Sequence, residues 1–181
     1  MFTIRKATRN DCQGIAKVHV DSWKTTYKGV VVQNYLDSLS YEQKERQWEQ
    51  ADLNFLFVAV NHSNDIVGFV SYGPERTKNY NIGGEIYAIY ILEEYQGHGI
   101  GKALTLHAVE DLLIHGYKRM MVWVLEENRN KGFYQYYLPH EIAESSFTIG
   151  NRQHIEVAYG WNDLNLLYQR LSAKGAREIN G

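Results

Sequence analysis

The run Gln96-Gly97-His98-Gly99-Ile100-Gly101-Lys102 has the residue types and the spacing to hold an anion. Glycines at alternate positions let the backbone turn tightly and bring its amides up to a bulky phosphate with no Cβ in the way. An apolar helical pattern opens at Ile100. The first N–H groups of a helix have no partners within it and lie at the positive end of its dipole. Loop and helix start together make a cradle suited to a pyrophosphate. Two other phosphate loops fail on spacing. A P-loop needs four residues between its glycines and then Lys with Ser or Thr, whereas Gly97 and Gly101 enclose three and Ala103 follows Lys102. A dinucleotide fingerprint reads Gly-x-Gly-x-x-Gly after the first strand, and this loop reads Gly-x-Gly-x-Gly after several. A strand-to-helix turn with no ligand is the plain alternative.

Glu85 is the one charge at the mouth of an otherwise apolar run over residues 85–92. A carboxylate there can act as a base or relay a proton through water; a solvated strand start after Gly83-Gly84 is the competing reading. Cys12 is the only cysteine, which excludes an intrachain disulfide and a cysteine-based zinc site and fits a small core residue. The histidines outside the loop show no metal-ligand spacing, so no metal is expected. No Gly-x-Ser-x-Gly elbow is present for a serine hydrolase.

The elements that must position these residues follow from periodicity and turn chemistry. Residues 2–6 alternate as a short strand, and Thr8 with Asp11 forms a capping box for a helix that runs until Gly29. Ser40 with Gln43 opens a second, polar helix carrying Trp48. Residues 55–60 and 66–72 read as strands joined by the turn His62-Ser63-Asn64-Asp65. Residues 75–84 are polar and expected to form a mobile loop. Residues 85–92 and 120–125 read as buried strands, with a helix over 100–115 between them and Gly116 as its C′ residue. A short helix over 130–137 ends at Pro139, and strands over 142–149 and 155–161 turn at Gly150-Asn151. The order β-α-α-β-β-β-α-β-α-β-β is mixed α/β, with no repeat and no break in composition.

Gln96-x-x-Gly99-x-Gly101, preceded by Glu85-Ile86-Tyr87-Ala88-Ile89-Tyr90-Ile91, resembles the coenzyme A signature of the GNAT superfamily of N-acetyltransferases. Leu125-Glu126-Glu127-Asn128 followed by Phe133-Tyr134 resembles that family's second conserved region. Members usually continue with Gly-Phe, where this chain has Tyr136-Tyr137-Leu138-Pro139-His140. The resemblance spans nearly the whole chain. It implies a single-domain α/β fold over residues 1–181, a mixed central β-sheet flanked by helices on both faces, with acetyl-CoA as co-substrate.

The same resemblance implies the site. Backbone groups of Ile89, Tyr90 and Ile91 would pair with the pantetheine of the co-substrate. The amides of Gln96, Gly97, His98, Gly99, Ile100 and Gly101 would take the pyrophosphate, with Lys102 adding charge. Asn128 would hold the pantetheine arm or cap the next helix. Tyr134 matches a tyrosine that sits near the sulfur and donates a proton to the leaving thiolate, with an aromatic core as its alternative. Glu85 matches a general-base glutamate of some members. Trp23 and Tyr27, within Trp23-Lys24-Thr25-Thr26-Tyr27-Lys28-Gly29, resemble the acceptor-side helix of one bacterial subgroup. The implied reaction is direct acetyl transfer to a primary amine of a small molecule, polyamine or peptide in a ternary complex. A coenzyme A-binding sensor or interaction module with the same fold is the alternative.

Composition agrees with that class. Lys and Arg total 19 against 21 Asp and Glu, and a net charge of −2 gives too little field to point to nucleic acid or an acidic membrane. No run approaches the ~20 apolar residues that span a bilayer, and the N-terminus lacks a signal-peptide pattern. A cytoplasmic protein with an amine acceptor as its partner is expected, with homodimer formation left open. The 14 tyrosines are compatible with a groove lined by amphipathic rings.

Overall fold

The computed structural model describes residues 2–173. In chain order the elements are β1 (Phe2–Lys6), α1 (Cys12–Thr26), α2 (Gln33–Asp37), α3 (Tyr41–Gln50), β2 (Leu56–Asn61), β3 (Ile66–Pro74), β4 (Gly83–Ile91), α4 (Ile100–Ile114), β5 (Arg119–Leu125), α5 (Lys131–Tyr136), β6 (His140–Ile149), β7 (Arg152–Trp161) and α6 (Leu164–Ser172). All seven strands join one sheet in the order β1-β2-β3-β4-β5-β7-β6, and β4–β5 is its parallel junction.

Helices cover both faces. On one, Ile100, Leu104, Ala108 and Leu112 of α4, Tyr134 of α5 and Leu164, Leu167 and Leu171 of α6 pack on Val70, Ile86, Met120, Val122 and Tyr159. On the other, Ile15 and Val18 of α1 meet Leu56, Val58, Val60 and Phe69, with Trp48 of α3 at the margin. The start of α1 is pinned by Asp11. Its carboxylate accepts from Arg5 on β1 at 2.7 and 2.8 Å and from the Thr8 N–H at 2.8 Å, as the capping box requires.

Two helices were not legible beforehand. The five-residue α2 has no side-chain cap. A signal for α6 existed: Asp163 caps the Asn165 and Leu166 amides at 2.9 and 3.1 Å, and Leu164, Leu167 and Leu171 recur at helical spacing. The segment after β3 differs from the mobile loop expected. The buried Glu75 carboxylate accepts from the Tyr80 and Ile82 amides, both at 2.8 Å, and from that of Gly83 at 3.4 Å, which organises the turn around one side chain. Burial pushes that carboxyl up and the hydrogen bonds outweigh it, so it lies below its ordinary range. Where the expected Gly-Phe is absent, Leu138 takes φ 53° and the chain enters β6 directly at His140.

Candidate active site

The central strand carries an irregularity that alternation cannot reveal. Ser71 of β3 pairs with Ala88 and Tyr72 with Ile86, so Tyr87 is an extra residue on β4. Ile89 and Ile91 therefore face α4 together with Ile86, while Ala88 and Tyr90 face α1. The pairing of β4 with β5 stops at Ile86 and Val122. From there the strands part, and residues 87–91 have no strand partner on that side.

The gap is a groove of about 470 Å³ that passes between the two faces of the sheet. Ile89, Tyr90 and Ile91 form one wall and Asn128, Phe133 and Tyr134 the other. Gly97, Gly99, Ile100, Gly101 and Lys102 lie at one end, and Ser22 and Thr26 of α1, with Tyr27 just past its end, at the other. Gly97 and Gly99 take φ of 76° and 80°, and a Cβ on either would meet nothing within 4 Å. Their backbone is one that glycine alone adopts readily, and the space beside it is open. Gly101 has a different task, since a Cβ there would stand 3.3 Å from Ile91 and close to Phe133. The Gln96 side chain braces the loop by donating to the Ile91 carbonyl at 3.1 Å. The Lys102 ammonium donates to the Ala173 carbonyl at 2.7 Å. His98 is exposed and lies outside the groove lining.

The far end gathers phenols. Tyr90 accepts from the Trp23 indole N–H at 3.0 Å, and Tyr27 from the Asn128 amide at 3.4 Å. The Tyr134 hydroxyl has no partner among the described residues. Burial pushes the Tyr90 phenol up to about 12, opposed by the Trp23 hydrogen bond. It also raises Tyr134, with Tyr90 adding to the shift, and Tyr27, with Tyr90 and Tyr134 adding to it. All three stay protonated at neutral pH, and none of the three O–H groups donates to a described residue. Ser22 adds a fourth hydroxyl, buried and without a partner among the described residues. Asn128 Oδ1 accepts from the Asn130 amide at 2.8 Å in the turn before α5, and its amide N–H group donates to the Tyr27 hydroxyl at 3.4 Å beside the groove.

Glu85 is placed otherwise than at an open mouth. It is 1% exposed, Oε1 accepts from Nε of Arg76 at 3.0 Å and from Nη2, and Oε2 accepts from the Arg76 backbone amide at 2.9 Å. Sequence reasoning missed Arg76, Ser22 and Thr26. The last two lie four residues apart on α1, one position before Trp23 and Tyr27, so the helical period of that segment was the available signal.

The seven-stranded mixed sheet with helices on both faces is a fold shared with solved N-acetyltransferases. The fold matches an N-acetyltransferase from Staphylococcus aureus Mu50 with TM-score 0.70 and 18% identity, over 91% of this chain and 99% of that one. It also matches the PaiA N-acetyltransferase from Thermoplasma acidophilum, solved in complex with coenzyme A, with TM-score 0.63 and 23% identity over 89% of this chain and 99% of that one. In sequence, an uncharacterised N-acetyltransferase of Bacillus subtilis strain 168 is 45% identical over 167 residues, 92% of this chain and 96% of the relative. A spermidine N(1)-acetyltransferase of Thermoplasma acidophilum is 27% identical over 141 residues, 74% of this chain and 84% of the relative. The sequence model of the acetyltransferase (GNAT) family matches residues 16–137, and the chain belongs to that family of N-acetyltransferases.

Proposed function

We propose that the protein transfers the acetyl group of acetyl-CoA directly to a primary amine while both are bound. The observation that carries this reading is the parted β4–β5 junction, which joins a glycine cradle at one end to undonated hydroxyls at the other. The cradle fits a bulky anion, because a Cβ at Gly97 or Gly99 would fill space that is open. In this reading the amides of residues 96–101 take the pyrophosphate at the positive end of the α4 dipole. Lys102 adds charge nearby, and His98 contributes its backbone alone. Backbone groups of Ile89, Tyr90 and Ile91, which lack a strand partner on the β5 side, hold the pantetheine with Asn128. When bound, acetyl-CoA supplies an activated acyl carbon and a sulfur leaving group.

The chain's own residues then handle protons. Forming the N–C bond and breaking the C–S bond requires one proton to leave the amine and one to reach the thiolate. Tyr134 has its proton and no internal acceptor, so it donates a hydrogen bond to the sulfur as charge builds there. A raised phenol gives up its proton less readily than an ordinary one, so this hydrogen bond precedes the proton transfer that completes C–S cleavage. Glu85, bonded to Arg76, has one acceptor position left on Oε2, where it positions a water through which the amine's proton leaves. Trp23 and Tyr27 border the acceptor.

Thiol release from acetyl-CoA, measured across a panel of polyamines, aminoglycosides and peptide N-termini, tests the reading. Polyamines head the panel because a relative 27% identical carries a spermidine acetyltransferase name. Amine-dependent release at least ~100-fold above background hydrolysis is expected, the scale of general acid–base assistance. A protein that binds coenzyme A but shows no thiol release above background with any amine of the panel is instead a non-catalytic binding module.

A further inference from the structure

Over β5, β6 and β7, the sheet face opposite α4 is covered in two separate patches. Toward α1 and α2, Tyr27, Val31 and Leu36 pack on Leu125 and Ile149, with Tyr90 and Phe147 at the margin. Toward the turn organised by Glu75, Ile82 and Tyr80 pack on Met121, Ala158 and Trp123. On β7 this face carries His154, Glu156 and Ala158. His154 pairs with Phe147 in the first patch, and Ala158 with Trp123 in the second. Glu156 is the position between them, opposite Leu125 on one side and the exposed Ser145 on the other.

Glu156 is half-buried, and among the described residues it makes no side-chain hydrogen bond and no ion pair. Its situation contrasts with that of two buried carboxylates: Glu75 is met by backbone amides and Glu85 by Arg76. Arg76 is bonded to Glu85, so Glu156 has no bonded cation among the described residues. Burial pushes its carboxyl up, the Arg76 charge opposes that and the Glu85 charge adds to it. A partly desolvated carboxylate without a partner is costly unless a ligand supplies one. The position is outside the groove lining and is linked to it through one neighbour. Leu125, its cross-strand partner, packs with Tyr27 and Tyr90, which line the groove's far end.

We infer that Glu156 receives an alkylammonium group of the acceptor, beside the point where the groove opens on the α1 face. This rests on the acetyl-transfer reading for the identity of the acceptor. The group is either the nitrogen that becomes acetylated or a second nitrogen of a diamine.

Calorimetric titration of the coenzyme A-saturated protein with butylamine and with 1,4-diaminobutane tests this. Glu156→Gln keeps the shape and removes the charge, and Glu156→Asp keeps the charge. Glu156→Gln should weaken amine binding about tenfold or more, as expected for one partly desolvated charge pair. Glu156→Asp should retain most of the affinity, and coenzyme A binding should stay within about twofold in both variants. Loss with both amines assigns Glu156 to the nitrogen they share, and loss with the diamine alone assigns it to the second nitrogen. Unchanged amine affinity in Glu156→Gln overturns the inference, as does an equal loss in Glu156→Asp. A wild type that binds amine in this way yet releases no thiol would end the catalytic reading and leave Glu156 as the ammonium site.

Discussion

At the loop end of the groove the backbone does the work, through Gly97 and Gly99 at positive φ beside open space and Gly101 packed on Ile91. At the far end side chains do it, with Ser22, Tyr27, Tyr90 and Tyr134 brought together from α1, β4 and α5. The loop end is contiguous in sequence, and its demands reduce to where a Cβ is absent. The far end is assembled from separate segments, and its demands are hydroxyl orientation, burial and charge. Substitutions should therefore act differently at the two ends, on affinity at the first and on turnover at the second.

The largest expected effect is at the far end. Tyr134→Phe removes a hydroxyl that has no internal partner, so the fold loses nothing by it. It should lower kcat by roughly 10- to 1,000-fold, the range for general acid–base contributions, with coenzyme A affinity nearly unchanged. Single-turnover acetyl transfer is the measurement, and an unaltered chemical rate would return Tyr134 to a packing role. At the loop end, Gly99→Val forces a β-branched residue to φ near 80° and projects it into the cradle. Coenzyme A affinity should fall by about 100-fold, roughly the worth of two lost hydrogen bonds to charged oxygens. The chain should remain folded, because no backbone or core atom stands near the added Cβ. Undiminished binding by a folded Gly99→Val would remove the phosphate from this loop.

A smaller effect ties the far end to pH. The Arg5 guanidinium, and less strongly the Thr8 groups, hold the Asp11 carboxyl down at about 2 against the opposing effect of burial. A folded-state pKa below the unfolded one gives stability that is present above about 4 and lost as pH falls toward 2. With Arg5 partly exposed, the contribution is about 1–2 kcal/mol. Asp11→Asn should melt below the wild type at pH 7, and the difference should vanish near pH 2. Since Asp11 anchors the start of α1, which carries Ser22 and Trp23 and leads into Tyr27, the same acidification should loosen the far end before the loop. A gap between the two melting temperatures that stays constant with pH would mean that the ion pair does not anchor α1.

The contrast also explains what was legible in the sequence. The glycine loop could be read directly, because its chemistry depends on glycine at given positions and on a helix that follows. All seven strands were visible from their apolar patterns and turns. The extra residue at Tyr87 was not, since a strand apolar on both faces has the same pattern whichever face each residue takes. The end of the β4–β5 ladder at Ile86 is likewise a tertiary fact with no local signature. Glu85 could be singled out as a charge on an apolar strand, but its engagement by Arg76 depends on how the turn after β3 folds back. That turn looked mobile by composition because Glu75, the residue that orders it, is indistinguishable in sequence from a solvated glutamate. Glu156 was unremarked for the same reason.

Amide hydrogen exchange with and without coenzyme A tests most directly whether the parted junction holds the co-substrate. The amides of residues 89–91 border a gap where β5 gives them no partner, and Gly97, Gly99, Ile100 and Gly101 line the cradle. Coenzyme A should slow exchange in both stretches and leave β1 and β2, at the opposite side of the sheet, unchanged. Protection that appears elsewhere while residues 89–91 and 97–101 exchange as before would place the ligand outside the groove and contradict the reading.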